Sequence, residues 1–394
     1  ANFYDNPAKK IKIIGITGTN GKTSTATLLY KCFNELGYKS GLISTISYRI
    51  GEVEYPSSHT TPDPKQLHRC FAEMYEADCE YCFMEVSSHA LVQGRVEGIP
   101  FCVALFTNIT HDHLDYHGTF AEYIKAKKLL FDGLGKDAVA ILNADDRNAK
   151  IMVQNCAAKA KFFALQKLTD YHCKIIENTF EGLLLSIENQ EVWFRLVGSF
   201  NAYNLLGIYA VMKELGIETE DAFRVLSSQT GASGRFETFY FPNEKITAII
   251  DYAHTPDALK NVLHTISDIN QTRGNILTVV GCGGNRDKEK RPQMAKIAAE
   301  ISNQVILTSD NPRFENPTDI LAEMYAGISL DLKRKVMQIE NRREAIGVAC
   351  RLAKANDIIL IAGKGHETYQ EIQGIKHPFD DREMVKELMA QIAG

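Results

Sequence analysis

Short, continuous apolar runs recur along this chain, separated by stretches with the pattern of helices. The runs are residues 11–16, 81–86, 103–106, 138–142, 246–250, 276–280, 305–307 and 358–361. They are rich in β-branched residues and do not alternate with polar ones, which is typical of strands that are buried on both faces. The sequence therefore predicts an α/β fold in which parallel sheets are covered by helices.

The chain is long enough for two domains, because 394 residues exceed what one ordinary hydrophobic core organises. Residues 160–200 interrupt the alternation with short β-like pieces. A helical stretch, 202–215, and a loop, 227–235, follow them. We place the domain boundary in that loop, which predicts one domain over residues 1–231 and a second over residues 232–394.

Composition and charge exclude several classes of function. A net charge of −5 gives no reason to expect a nucleic-acid or membrane-surface partner. No apolar run is long enough to cross a bilayer, and the first residues lack the features of a secretion signal. The nine cysteines are an odd number scattered through apparent core segments, which indicates a reduced, cytoplasmic protein. Cys79 and Cys82 have CxxC spacing, but no second pair accompanies them, so we interpret them as packing residues.

Polar residues follow most of the apolar runs, at the point where each predicted strand ends. Glu85, His113, Asp251 and Asp310 are examples from both halves of the chain. Open α/β sheets bind their ligands at the carboxyl ends of the strands. We therefore expect ligand-binding residues at the strand ends of both domains.

A glycine-rich segment, residues 15–23, lies between a predicted strand and a predicted helix. Its sequence is Gly-Ile-Thr-Gly-Thr-Asn-Gly-Lys-Thr. Backbone N–H groups of such a loop face an anion, Lys22 reaches the terminal phosphates, and the Thr23 hydroxyl can bind Mg²⁺. Ile16 departs from the usual Walker A spacing, which has glycine there. We still predict a nucleotide-binding P-loop, since a plain glycine turn does not require the Gly-Lys-Thr ending.

Three other positions are open to more than one interpretation. Glu85 ends a buried strand, where a carboxylate is costly unless it is paired or bound to metal; it is either a second Mg²⁺ ligand, or a helix N-cap or an exposed strand end. Residues 111–117 could suggest zinc, but a single histidine sharing a metal with phosphate oxygens is more economical. Periodicity alone places Lys127 on a solvated basic helix face.

Several segments resemble, in the same order, the motifs of the Mur ligase family. They are residues 18–23, 85–89, 108–115, 198–204, 234–237, 251–256, 281–287, 310–313 and 363–367. The resemblance spans essentially the whole chain. It implies a P-loop, parallel-sheet central domain that binds ATP, followed by a Rossmann-like α/β domain that binds an amino acid. Family members also carry an N-terminal UDP-binding domain, and we expect this chain to lack it because the P-loop begins so early.

The resemblance also implies roles for individual residues. The ATP-binding positions are Gly18, Thr19, Asn20, Gly21, Lys22, Thr23, Asn204, Arg235, Asp251 and His254. The magnesium positions are Thr23, Glu85, His113 and Lys127, the last as a carbamylated lysine. The catalytic positions are Lys22, His113 and Lys127. The muramoyl-peptide positions are Thr60, Thr61, Ser87 and Arg95. The positions for the incoming amino acid are Arg286, Asp310, Asn311, Arg313, Gly363 and Glu367.

The amino-acid positions indicate which substrate the resemblance implies. Diaminopimelate carries an amino acid group at each end, so Arg286 and Arg313 can bind its distal carboxylate while Asp310 and Glu367 receive its distal ammonium. Lysine lacks the distal carboxylate, and lysine-adding relatives resemble this segment with alanine at the position of Arg313.

The expected function is therefore ATP- and Mg²⁺-dependent addition of meso-diaminopimelate to the D-glutamate of UDP-N-acetylmuramoyl-L-alanyl-D-glutamate, through an acyl phosphate. We expect a cytoplasmic monomer with no nucleic-acid or membrane partner. The alternatives are a related ligase, either lysine-adding or similar to folylpolyglutamate synthetase, and a nucleotide-binding module that uses ATP as a switch or a structural ligand.

Overall fold

The structure, a computed structural model, describes residues 5–57 and 59–393, with only the backbone of Ala393. Residues 1–4, part of the segment in which we found no secretion signal, lie outside the described residues. The chain divides into two compact units, Ala1–Ala232 and Ser233–Gly394. In the described ranges, no helix is long and apolar enough to cross a membrane.

The first unit is built on one eleven-stranded sheet. Its strands are β1 (Lys12–Thr17), β2 (Ser40–Ile43), β3 (Ser47–Ile50), β4 (Val53–Pro56), β5 (Tyr81–Glu85), β6 (Phe101–Phe106), β7 (Val139–Asn143), β8 (Lys159–Ala164), β9 (Tyr171–Asn178), β10 (Leu183–Ile187) and β11 (Gln190–Phe194). Their order across the sheet is β11-β10-β9-β8-β7-β6-β1-β5-β2-β3-β4. The central strands, from β9 to β2, are parallel.

Antiparallel strands extend this sheet at both edges, which the sequence pattern did not predict. At one edge β3 and β4 continue from β2, and at the other β10 and β11 continue from β9. Burial explains the difference in pattern. Every residue of β1 after Lys12 is buried, whereas β10 alternates between buried and partly exposed residues. Continuous apolar runs therefore mark the parallel centre, and the edges carry the weaker alternating signal.

Helices cover both faces of the first sheet. They are α1 (Lys22–Glu35), α2 (Pro64–Glu76), α3 (Ser88–Val92), α4 (Leu114–His117), α5 (Phe120–Asp132), α6 (Ala149–Met152), α7 (Ser199–Glu214) and α8 (Thr219–Ser228), with a 3-10 helix at Pro7–Lys9. One core contains Phe33 of α1 and Leu205 of α7, and the other contains Phe71 of α2 and Phe131 of α5. The central strands are thereby shielded on both faces, so that ligands reach them at their ends.

The second unit is built on a six-stranded sheet with the order β12-β13-β17-β14-β15-β16. Its strands are β12 (Glu237–Phe241), β13 (Ile246–Asp251), β14 (Ile276–Val280), β15 (Gln304–Leu307), β16 (Val336–Gln338) and β17 (Ile358–Ala362). Only β12 is antiparallel to its neighbour. A separate hairpin follows, formed by β18 (Tyr369–Ile372) and β19 (Ile375–Pro378). The helices are α9 (Pro256–Ile269), α10 (Lys290–Ile301), α11 (Pro317–Ala326), α12 (Arg342–Leu352) and α13 (Asp381–Ala393), with a 3-10 helix at Lys333–Lys335.

A buried ion pair joins the helices of the second unit to the ends of its strands. Arg342, the first residue of α12, donates to both carboxylate oxygens of Asp381, at 2.8 and 2.7 Å, and neither side chain is exposed. The same guanidinium donates to the carbonyl oxygens of Ala362 at 3.1 Å and Ser309 at 3.4 Å. Arg342 therefore fixes the carboxyl ends of β15 and β17, where the residues predicted to bind the amino acid begin.

Candidate active site

The glycine-rich loop follows β1 and leads directly into α1. Gly18 and Gly21 have φ angles of 152° and 87°, a region that favours glycine. A Cβ atom on Gly18 would lie 1.9 Å from Oγ1 of Thr107, and one on Gly21 would lie 2.5 Å from Oδ1 of Asn204. Both positions therefore require glycine for conformation and for space. The structure also brings Asn204, on α7, to the loop.

The segment after β6 braces this loop through its backbone. Asn20 N–H donates to Oδ1 of Asn108 at 2.9 Å, and Nδ2 of Asn108 donates to the carbonyl of Asn20 at 3.1 Å. The N–H of Thr19 donates to the Asn108 carbonyl at 2.8 Å, and Thr107 Oγ1 donates to the Asn20 carbonyl at 2.6 Å. Because β1 and β6 are parallel neighbours, their ends meet here and hold the loop in one shape.

Lys22 and Thr23 lie in the first turn of α1. The ammonium of Lys22 donates to the carbonyls of Gly18 and Thr19, both at 2.8 Å. Thr23 is buried. The amino end of a helix carries partial positive charge and N–H groups that have no partner within the helix, so both residues are placed where an anion is stabilised.

Lys127, on α5, is buried beneath the same loop. Its side chain is 1% exposed, and its Nζ donates to the Gly18 carbonyl at 2.8 Å and lies 4.7 Å from the centre of the Tyr123 ring. Burial, followed by the positive charge of Lys22, holds the pKa of Lys127 well below its usual value, and Asp112 opposes the shift. The interpretation from periodicity, a solvated surface lysine, is wrong because α5 packs this face against the loop.

Glu85 ends β5, next to β1, in register with Ile16. Its side chain is fully buried, so the alternative of an exposed strand end is wrong, and the cap of α3 is Ser87 instead. The N–H of Thr45 donates to Oε1 at 2.7 Å, and the Thr45 hydroxyl donates to Oε2 at 3.2 Å. A carboxylate oxygen can accept more than one contact, so both oxygens retain capacity for a cation.

His113 follows β6 and has a φ of 54°. Its Nε2 lies 3.3 Å from Oδ2 of Asp112, and its ring centre lies 4.9 Å from that of His89. Burial lowers the pKa of His113 against the attraction of Asp112, so the imidazole is neutral, which is the form that binds metal. Among residues 5–57 and 59–393, no group of three or more His, Cys, Asp or Glu residues is arranged to hold a metal. A metal at His113 would therefore need ligands from outside this set, such as the oxygens of a bound phosphate.

The predicted muramoyl-peptide residues lie in one hydrogen-bonded group beside Glu85. Thr61 Oγ1 donates to the Glu85 carbonyl at 2.8 Å and accepts from the Ser87 N–H at 3.1 Å. Arg95 Nη1 donates to the Thr61 carbonyl at 2.8 Å. The hydroxyl oxygens of Thr60 and Thr45 lie 3.0 Å apart. Residues far apart in sequence are thus assembled at the end of β5.

In the second unit, three of the predicted ATP-binding residues lie around the end of β13. Asp251 accepts from the N–H groups of Phe236 and Ala253, both at 2.7 Å, and burial raises its pKa. The guanidinium of Arg235 lies over the ring of Tyr252, 4.4 Å from its centre. His254 Nδ1 lies 3.0 Å from the Tyr252 carbonyl oxygen.

A polar network connects the ends of β15 and β17. Asn311 Nδ2 donates to Oε2 of Glu367 at 2.8 Å, and the ammonium of Lys364 donates to Asn311 Oδ1 at 3.1 Å and to Glu367 Oε2 at 3.2 Å. Burial, followed by the charge of Asp310, raises the pKa of Glu367, which Lys364 opposes. Gly363 has a φ of 116°, and a Cβ atom there would lie 2.6 Å from Asp310 Oδ2.

The two predicted arginines lie in neighbouring loops, Arg286 in the loop after β14 and Arg313 in the loop after β15. Arg313 Nη1 donates to the Gly284 carbonyl at 2.8 Å. A Cβ atom on Gly283 would lie 2.9 Å from Arg313 Nη1 and 3.8 Å from Arg286 Cγ, so both side chains pass the same glycine. Arg286 is exposed, whereas Arg313 is partly buried. The structure therefore brings all the predicted amino-acid positions to one end of the sheet, with Arg286 at its rim.

Comparison with known proteins identifies the family. A family model described as the Mur ligase middle domain matches residues 16–212, and one described as the Mur ligase glutamate ligase domain matches residues 234–365. This chain belongs to the Mur ligase family. It is therefore an ATP-dependent amide-bond ligase, a class for which ATP and Mg²⁺ are implied.

Individual relatives are closer still. Over 389 residues, 99% of the chain and 80% of the relative, this Mur ligase is 54% identical to UDP-N-acetylmuramoyl-L-alanyl-D-glutamate--2,6-diaminopimelate ligase of Cytophaga hutchinsonii. A solved structure of an enzyme with the same name is 34% identical to this chain, with a TM-score of 0.67. The match covers 98% of this chain and 79% of the chain in that structure. The MurF ligase of Thermotoga maritima in complex with ADP shares the fold, with a TM-score of 0.70 at 17% identity over 99% of this chain and 84% of that one.

Two residues of this Mur ligase site were not predicted from the sequence. Lys364 is completely buried between Asn311 and Glu367, although we named only its motif neighbours. The signal was the lysine inside the segment 363–367, which follows a buried strand. Thr45, which donates twice to Glu85, lies in a loop with no recognisable pattern, so its role depends on the fold.

Proposed function

We propose that this Mur ligase adds meso-diaminopimelate to the D-glutamate of UDP-N-acetylmuramoyl-L-alanyl-D-glutamate during synthesis of the peptidoglycan precursor. The observation that carries the proposal is the group formed by Asp310, Asn311, Arg313 and Glu367 at the strand ends of the second unit. Its charges match the distal end of diaminopimelate, and the name of the Cytophaga hutchinsonii relative agrees with this match.

The selectivity for the amine follows from charge pairing. Arg313 and Arg286 supply guanidinium groups for the distal carboxylate of the substrate, and Asp310 and Glu367 supply carboxylates for its distal ammonium. Lysine presents the ammonium but no distal carboxylate. The guanidinium of Arg313 would then lack its partner in a partly buried site, at a free-energy cost of about 1–3 kcal/mol. In a lysine-adding enzyme the Arg313 guanidinium would have no substrate carboxylate to bind.

The nucleotide loop and its neighbours fit ATP and Mg²⁺ in their chemistry. The backbone of residues 18–21 and the ammonium of Lys22 would hold the phosphates, and Asn204 would support the loop. The Thr23 hydroxyl and the Glu85 carboxylate would hold a first Mg²⁺, and the neutral imidazole of His113 would hold a second Mg²⁺. When bound, Mg²⁺ neutralises charge on the phosphoryl group that is transferred. Arg235, Asp251 and His254 would be the nucleotide-binding residues of the second unit.

Lys127 would carry a carbamate in the working enzyme. Carbamylation forms a bond between a neutral amine nitrogen and the carbon of CO₂, and the amine releases a proton. Burial and the nearby charge of Lys22 lower the pKa of Lys127, which favours the neutral amine, the reactive form. The resulting anion would lie close to Lys22 and would give the second metal position a further oxygen donor. The cost of burying this lysine is then explained by its chemistry.

The reaction would proceed in two steps. The γ-carboxylate oxygen of D-glutamate attacks the γ-phosphorus of ATP, which forms an acyl phosphate and releases ADP. The amine of diaminopimelate then attacks the acyl carbon, and phosphate leaves as the amide forms and the amine loses a proton. Lys22 balances negative charge in the first step, while Thr60, Thr61, Ser87 and Arg95 position the muramoyl peptide.

Release of phosphate with two amines tests this function. The chain is supplied with ATP, Mg²⁺ and the UDP-muramoyl dipeptide, and with either meso-diaminopimelate or lysine. We expect turnover with diaminopimelate to exceed turnover with lysine at least tenfold, as about 1.4 kcal/mol requires. Equal rates would refute the selectivity. With ¹⁸O in the γ-carboxylate, label in the released phosphate is expected, and its absence would exclude the acyl phosphate.

We further propose that the enzyme acts as a cytoplasmic monomer. The nine free cysteines, seven of them buried, are in keeping with a reducing compartment.

A further inference from the structure

The β18–β19 hairpin is attached to the segment that binds the amino acid. Gln370 Nε2 donates to the Asp310 carbonyl at 2.7 Å, and the Glu371 N–H donates to Asn311 Oδ1 at 2.9 Å. Both polar groups of the Arg313 backbone pair with the hairpin. Its N–H donates to the Glu371 carbonyl at 3.0 Å, and its carbonyl accepts from the Gln373 N–H at 2.7 Å. The hairpin is therefore part of the wall of this site.

These contacts hold Arg313 in an uncommon backbone conformation. Its φ is 52°, in the left-handed region that few residues other than glycine, asparagine and aspartate adopt. Pairing of both its N–H and its carbonyl with the hairpin stabilises that conformation. The side chain reaches Gly283 and Gly284.

Two partners then orient the guanidinium itself. Glu371 Oε2 lies 3.4 Å from Arg313 Nε, and the Gly284 carbonyl accepts from Nη1 at 2.8 Å. The contacts described for this side chain thus use Nε and Nη1, so the edge that carries Nη2 can face a ligand. Both side chains of the Arg313–Glu371 pair are about one-fifth exposed, which leaves this edge within reach of a substrate.

We propose that Glu371 is a positioning residue for the amine substrate. It turns the Arg313 guanidinium so that the guanidinium binds the distal carboxylate, and it thereby sets the preference for a diamino dicarboxylic acid over a diamino monocarboxylic acid. This inference rests on the proposed function. Glu371 acts through Arg313 and does not itself contact the reacting atoms.

Substitution of Glu371 with measurement of both amines tests the inference. In the full chain, Glu371→Gln and Glu371→Ala should raise KM for meso-diaminopimelate about tenfold, because a charged contact that orients the guanidinium is lost. KM for ATP, kcat at saturating amine and KM for lysine should each stay within about twofold of wild type. Glu340→Gln, an exposed carboxylate of the same unit, is the matched control and should change nothing.

Glu371→Gln keeps the size of the side chain and every backbone contact of the hairpin, so it tests the charge even if Glu371→Ala lowers the melting temperature. A parallel rise in KM for lysine, or a fall in kcat with both amines, would indicate a merely structural role and would overturn the proposal.

A double-mutant cycle shows whether Glu371 acts through Arg313. Glu371→Ala should change KM for diaminopimelate in the wild-type background but by less than about twofold in an Arg313→Ala background. An equal effect in both backgrounds would overturn the proposal. If wild type shows no diaminopimelate-dependent turnover, the proposed function has failed; if wild type turns over and Glu371→Ala behaves like the control, only the role of Glu371 has failed.

Discussion

Replacement of Lys127 by methionine should separate activity from stability. Methionine keeps the length and much of the volume of the side chain but removes the amine. The variant loses the hydrogen bond to the Gly18 carbonyl and, with it, the site of the proposed carbamate. We expect phosphate release in the presence of both substrates to fall by a factor of about 10²–10³, the usual effect of removing a group that organises charge at a reacting phosphate.

The free energy of unfolding of Lys127→Met should rise relative to wild type at low pH, although its activity falls. Loss of one hydrogen bond costs about 1 kcal/mol, and the Gly18 carbonyl loses a donor. Removal of a buried amine, however, also removes the desolvation cost that lowers the pKa of Lys127 in the folded protein, and this cost grows as the pH falls. The unfolded chain binds a proton at this lysine below pH about 10.4. Wild type should therefore gain stability as pH rises, by up to about 1.4 kcal/mol per pH unit between the lowered folded pKa and that value.

The Lys127→Met variant lacks this slope, which makes the pH dependence the decisive measurement. Urea unfolding at several pH values below about 10.4 would be carried out without Mg²⁺ and in buffer freed of CO₂. The free energy of unfolding of the variant should exceed that of wild type by most at the lowest pH, and this difference should shrink as the pH rises.

The control is Lys125→Met on the same helix, because Lys125 is 70% exposed and pairs with Glu122. Its relative stability should not vary with pH. A difference between Lys127→Met and wild type that stays constant with pH would refute a neutral buried amine, and full activity of Lys127→Met would refute the carbamate.

Three further substitutions follow from the geometry. Gly21→Ala should raise KM for ATP at least about tenfold, because the added Cβ meets Asn204 and the φ of 87° is strained for alanine; an unchanged KM would show that this loop does not hold the nucleotide. Arg342→Met should lower the free energy of unfolding by about 3–5 kcal/mol, since it leaves Asp381 buried without a partner, and thermal denaturation would detect it; a loss under about 1 kcal/mol would contradict this. Arg313→Ala should raise KM for diaminopimelate about 10–100-fold and leave KM for lysine nearly unchanged, so a similar rise for both amines would exclude its selective role.

The sequence by itself determined the central strands and the position of the nucleotide loop. Continuous apolar runs predicted β1, β5, β6 and β7 to within a few residues, because strands covered on both faces have no solvent-facing side that would place polar residues between the apolar ones. The loop was equally visible, since its glycines and the following Lys22 and Thr23 are local requirements of one turn. Family motifs then predicted the residues that the strand ends present.

Only the tertiary structure decided what surrounds those residues. The antiparallel edges of the first sheet, the burial of Lys127, the role of Lys364 and the attachment of Arg313 to Glu371 all depend on contacts between distant segments. Lys127 shows the reason most clearly: its helix has the pattern of a solvated surface, and the charge state of its amine follows from packing against a loop more than a hundred residues earlier in the chain. Periodicity reports which face of a helix is apolar, but burial of a polar group depends on what the fold places against it.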